Sequence, residues 1–154
     1  MMMVMANNTF AQSLYKKVYE LSTEVLNNPK STEEKIQINQ FKVTALNYIA
    51  MQVEKRGLKK DSYFYDSQAV NLASFITDFE TNLIKARAIS NQKRLQTIKC
   101  YTDASLNNPL FGDTDKETIH CYVTDKKSYT PFSLDTDWEK AFDTATKKMK
   151  EILR

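Results

Sequence analysis

The feature that most constrains the fold of this chain is the absence of glycine and proline from residues 58–108. These two residue types break helices and form the tight turns between strands. The whole chain of 154 residues has only 2 Gly and 3 Pro, too few for a protein of many short strands. Its composition, 42% hydrophobic and 27% charged, is that of an ordinary globular domain. We therefore expect a mainly α fold, a bundle of four or five helices.

The first part of the chain predicts two amphipathic helices joined by a short connection. The apolar stripe of the first helix is Phe10, Leu14, Val18, Leu21 and Val25. Pro29 ends this helix, and Ser31 with Glu34 forms a capping box at the start of the second, which stops at Gly57. Because the connection is short, we expect an antiparallel helical hairpin.

The second part of the chain predicts further helices. Asp66 or Ser67 can cap a third helix, with the apolar stripe Leu72, Phe75, Ile76, Phe79, Leu83 and Ala86. We expect a bend near Ser90 and Asn91, where the stripe is interrupted. The last helix begins at Asp135, Thr136 or Asp137, and one of its faces carries Trp138, Phe142, Ala145, Met149 and Ile152.

Residues 110–134 form an irregular insert between these helices. Its β-branched and aromatic residues predict a small β-hairpin or an extended segment. A lone hairpin is marginal in water, so this one should lie on the helices. Tyr129 and Phe132 flank Pro131, and we expect both to be partly exposed, as a candidate binding surface for a peptide or glycan.

The first eleven residues carry no charge and have the character of a shortened secretory signal. Thr9 and Ala11 supply small residues before Gln12, an ending that resembles the cleavage region of exported Bacteroidetes proteins, in which Gln often begins the mature chain. We therefore expect residues 1–11 to be the remnant of a signal peptide. Residues 12–154 would then be a single helical domain in the periplasm or outside the cell. The alternative is the frayed N-terminus of a cytoplasmic protein.

The compartment determines how the two cysteines are interpreted. In an oxidising envelope Cys100 and Cys121 can form a disulfide worth roughly 3 kcal/mol. In a reducing cytosol they are two small apolar residues. The expectation of export favours the disulfide.

The clearest charge asymmetry lies between Glu80 and Asp103, where the chain has no anion. The cations of this stretch are Lys85, Arg87, Lys93, Arg94 and Lys99. They form either a solvated helix face or a basic candidate binding surface for an anionic polymer, lipid head groups or an acidic protein. We expect no nucleic-acid partner, because the net charge is only +3 and no nucleic-acid motif is present.

The sequence offers little for catalysis or metal binding. His120 and Cys121 are neighbours, and in a strand they point to opposite faces, so they cannot converge on one metal. Residues 113–117 start like a calcium loop, but Thr118 and Thr124 stand where the loop needs Gly and Glu. No apolar run is long enough to span a bilayer. We therefore expect no catalytic residue, no metal and no cofactor.

These observations predict a non-enzymatic binding or structural protein of a bacterial envelope, with another protein, a peptide or a glycan as its partner. A small hydrolase or metal-dependent enzyme using His120 is the first alternative. A cytosolic helical adaptor is the second.

Overall fold

The computed structural model describes residues 13–112, 119–125 and 128–154, and for residues 119–125, 128 and 129 it describes the backbone alone. The elements are α1 (Leu14–Asn27), α2 (Glu33–Lys55), α3 (Ser62–Ile89), α4 (Asn91–Leu106), β1 (Ile119–Asp125), β2 (Ser128–Ser133) and α5 (Trp138–Ile152). These elements confirm the mainly α fold and the small hairpin within residues 110–134. The predictions for residues 1–11 and 113–117 lie outside the described residues.

Each helix begins at a polar side chain that accepts from a free backbone amide, as helix N-termini require. These caps are Ser13, Thr32, Asp61, Ser90 and Asp137. The capping box predicted at Ser31 is therefore wrong by one residue. The Ser31 hydroxyl instead donates to the carbonyl of Val25 at 2.6 Å, which holds the connection against the end of α1.

The third helix also begins earlier than predicted. Asp61 caps α3, five residues before Asp66. The Asp66 carboxylate has another partner, because it accepts from the amide of Tyr15 at 2.8 Å. The prediction that Asp66 or Ser67 caps the third helix is therefore wrong, and Asp66 instead accepts from an amide of α1.

The predicted interruption of the long Gly- and Pro-free stretch is confirmed at Ser90. The backbone there is extended, with φ −167° and ψ 161°. The amide of Ser90 donates to Ala86 of α3, and its hydroxyl accepts from the amide of Lys93 in α4. One residue therefore ends one helix and starts the next. The two helices run antiparallel, with the Asn82 amide donating to the Tyr101 hydroxyl at 2.8 Å.

The core lies around α3, which packs against α1, α2, α4 and α5. Its centre is a cluster of aromatic side chains: Phe41, Phe75, Phe79, Tyr101, Phe132 and Trp138. The rings meet edge-on or tilted, with the Phe75 ring centroid 5.2 Å from that of Trp138 and 5.4 Å from that of Phe132. Such aromatic pairs combine large buried area with favourable ring geometry.

The expectation that Phe132 is partly exposed is wrong, because its side chain has no exposed area. β1 and β2 pair antiparallel with His120 opposite Phe132, and the hairpin lies across the helices. β1 packs against α2 and β2 against α4. Phe132 therefore points into the bundle and closes its core.

The apolar stripe predicted for the first helix packs only in part: Val18 contacts the core, but its two leucines are about half exposed. Leu14 is 49% exposed and Leu21 is 51% exposed. Tyr15 and Tyr19, each near one of these leucines, pack against the core instead. The Tyr15 hydroxyl donates to the Leu46 carbonyl at 2.6 Å, which fixes this rotation of α1.

Candidate functional site

A cleft of about 510 Å³ lies between α4 and α5. Its volume falls within the range of small-molecule sites. The two helices run antiparallel, and at their contact the Cys100 thiol lies 3.8 Å from the Ala145 carbonyl. Small residues at this contact let the backbones approach, so that the longer side chains on either side form the walls.

The floor of the cleft is apolar. Cys100 is 8% exposed, Ala104 is 1% exposed and Ile152 is 8% exposed. Burial raises the pKa of the Cys100 thiol to about 11, against the smaller lowering effect of Lys148. A thiol with this pKa is protonated near neutral pH and is a poor nucleophile. Cys100 therefore acts here as a small apolar residue.

The walls of the cleft carry three ammonium groups and two carboxylates. Lys99 pairs with Asp103, and Lys148 pairs with Glu151 at 3.3 Å. Lys93 donates to the carbonyl of Ile152 at the end of α5. Both ion pairs are exposed, and such pairs add little stability. The lysines of those pairs can therefore turn to an anionic ligand at small cost.

The five basic residues predicted to form one binding surface lie in three different places: the cleft, the surface outside it and the interior. Lys93 and Lys99 line the cleft, whereas Lys85 and Arg87 are exposed on α3 outside it. Placing Arg94 on a binding surface is wrong, because its side chain is 7% exposed. Its Nε donates to the Asn91 side chain at 3.0 Å, which folds it against the start of its own helix.

The other predicted site residues lie in the hairpin. Phe132 belongs to the core. The structure does not describe the side chains of Tyr129, Cys121 and His120. The disulfide between Cys100 and Cys121 stays a prediction. In the structure Cys100 is a buried free thiol facing α5.

Sequence reasoning missed the half of the cleft that α5 supplies. Thr144, Lys148 and Glu151 lie on the polar side of an amphipathic helix and look like ordinary surface residues. The cationic end of α5 was the one available signal. No pattern in the sequence indicates that this side faces α4.

The described residues contain no group of three or more His, Cys, Asp or Glu side chains placed to hold a metal ion. None of their helices has the length and apolar character needed to cross a bilayer. Comparisons with protein-family models, curated proteins and solved structures give no match for this chain.

Proposed function

We propose that this chain is a non-enzymatic binding protein and that the cleft between α4 and α5 holds its ligand. The observation that carries the proposal is the pairing of an apolar floor with ammonium groups at the rim. A small amphipathic molecule with an apolar body and one acidic group matches that arrangement. The apolar body would lie over Cys100, Ala104 and Ile152.

The charges at the rim favour an acid over a neutral or basic ligand. Three lysines face two carboxylates, which leaves one excess positive charge. Lys148 is exposed and its partner Glu151 is on the same helix, so exchanging that carboxylate for a ligand's requires no change in the fold. Ammonium–carboxylate hydrogen bonds are among the stronger polar contacts in proteins.

The chemistry of the cleft supports binding without catalysis. Its one thiol is buried and has a raised pKa, and none of the described residues that line it is a histidine. The enzyme hypothesis relies on His120, whose side chain is outside the description. That hypothesis and the cytosolic adaptor stay alternatives that no observation on this structure favours.

Filling the cleft tests the site. We expect calorimetric titration to show that octanoate binds more tightly than octanol, and octanol more tightly than octylamine. Thr144→Trp places an indole at the exposed wall and should weaken octanoate binding more than tenfold. Thr77→Trp, at an exposed position of α3 outside the cleft, is the matched control and should leave binding unchanged. Absence of binding by all three ligands, or equal affinity in both variants, would refute the site.

A pair of adjacent lysines tests the acidic group. Lys147 and Lys148 are both exposed and both paired with a carboxylate on α5, but only Lys148 lines the cleft. We expect Lys148→Met to weaken octanoate binding about tenfold and to spare octanol. Lys147→Met should change neither. Equal loss in the two variants would show that the lysines act through general charge.

We further propose that the protein is exported, with residues 1–11 removed and Cys100 bonded to Cys121. Both proposals rest on the sequence. The intact mass of the protein recovered from its host tests them together. Cleavage before Gln12 and, because Cys100 is buried, alkylation of the denatured chain only after reduction are the expected results. A chain that retains residues 1–11 would refute export, and alkylation of both thiols in the denatured, unreduced chain would refute the disulfide.

A further inference from the structure

The turn between α3 and α4 exposes large aliphatic side chains. Ile84 is 61% exposed, Ile89 is 58% exposed and Leu95 is 49% exposed. At a rise of about 1.5 Å per residue, all three lie within roughly 9 Å of Ser90 along their helices. Single exposed apolar residues are common, but several at one end of a hairpin indicate a contact surface.

The same turn carries positive charge in a stretch of sequence that has no acidic residue. Lys85 and Arg87 are exposed, and neither forms an ion pair within the part of the chain that the structure describes. From Thr81 to Thr102 the sequence has no Asp or Glu. Of the other cations, Arg94 is buried, and the Lys93 ammonium donates to the carbonyl of Ile152 at the cleft. Lys85 and Arg87 therefore lie between the exposed Ile84 and Ile89 along the chain.

We propose that the turn spanning residues 84–95 docks this protein onto an anionic phospholipid surface. Ile84, Ile89 and Leu95 would enter the boundary between head groups and acyl chains. Lys85 and Arg87 would contact lipid phosphates. Aliphatic residues beside Lys and Arg are the composition that peripheral membrane contacts use.

Nucleic acid fits this surface less well. Residues 81–100 contain no aromatic side chain on which a base could stack. Two exposed cations are also few for a polyanion. An acidic protein would meet the charges, but it would also need an apolar patch placed opposite the three aliphatic residues. A lipid surface accounts for both features.

The contact is weak and depends on charge. Each Lys or Arg held near an anionic membrane strengthens binding about fivefold. Sedimentation with vesicles tests this. We expect binding to phosphatidylglycerol-containing vesicles, little binding to phosphatidylcholine alone, and release by high salt. Absence of binding to the anionic vesicles, or binding unaffected by salt, would overturn the proposal.

Matched variants locate the surface. Lys85→Gln with Arg87→Gln should weaken vesicle binding about 30-fold, whereas Lys16→Gln with Lys17→Gln, the same charge loss on exposed α1 positions, should have little effect. Ile84→Ser should also weaken binding, and Leu21→Ser, at a similarly exposed position, should not. Equal losses within either pair of variants would overturn the proposal. An Ile84→Ser variant that binds both the vesicles and a DNA duplex as tightly as the parent does would also overturn it. Lys148→Met should bind vesicles normally, which separates this surface from the cleft.

Discussion

Replacing Phe132 with alanine should lower the free energy of unfolding by about 3–5 kcal/mol. The ring has no exposed area, and its centroid lies 5.4–5.7 Å from those of Phe75, Phe79 and Phe41. Removing it leaves a cavity lined by these rings and loses the contact that anchors the hairpin. Urea unfolding followed by helical circular dichroism and by Trp138 fluorescence measures the loss.

A second phenylalanine provides the control for this prediction. Phe142 lies on α5 at the edge of the core and is only partly buried. We expect Phe142→Ala to cost about 1–2 kcal/mol, clearly less than Phe132→Ala. Equal losses, or a loss below about 1 kcal/mol at Phe132, would mean that the hairpin is not part of the cooperative core.

Phe132 also shows what a sequence cannot predict about an insert. Neighbouring residues predicted the hairpin correctly, because strand-forming residues and turn signals are local. Whether a side chain on that hairpin faces water or the helices depends on how the hairpin is laid on the bundle. That docking is set by Phe75, Phe79 and Phe41, which are distant in the chain. The residues next to Pro131 therefore predicted, wrongly, that Phe132 faces water.

The helices were predictable for the same local reasons, and their rotations were not. Caps and the spacing of apolar residues are readable within one turn, and the break at Ser90 followed from the interrupted stripe. On α1 the spacing of Leu14 and Leu21 indicated one face, but Tyr15 packs instead, because its hydroxyl reaches a backbone carbonyl of α2. The face of α1 that is buried therefore follows its tyrosines and differs from the face that its leucines predicted.

Only the residues of the cleft that α4 supplies could be predicted from the sequence. The acid-free stretch of cations marked Lys93 and Lys99 as candidates, and both line the cleft. The same stretch included Arg94, which is buried beside Asn91, because charge alone does not indicate which side of a helix faces the core. Lys148 required the pairing of α4 with α5, a contact between distant parts of the chain.

The second large effect is expected at Asp135. Its carboxylate is 2% exposed and accepts from the amides of Leu110 and Phe111, at 3.2 Å and 2.7 Å. These bonds join the start of the insert to its end. Asp135→Ala leaves two amides without this acceptor, and an unsatisfied buried group costs about 1–3 kcal/mol. We therefore expect a loss of about 3 kcal/mol in the free energy of unfolding.

Hydrogen exchange separates this effect from a general loss of stability. In Asp135→Ala the amides of Leu110 and Phe111 should exchange much faster. Without their hydrogen bonds to the carboxylate, local opening of the insert costs less free energy. Asp135→Asn keeps one side-chain acceptor and should lose less stability. Asp143→Ala removes an exposed carboxylate of α5 and should stay within about 0.5 kcal/mol of the parent. A loss at Asp135 no larger than that at Asp143 would show that the carboxylate does not hold the insert closed.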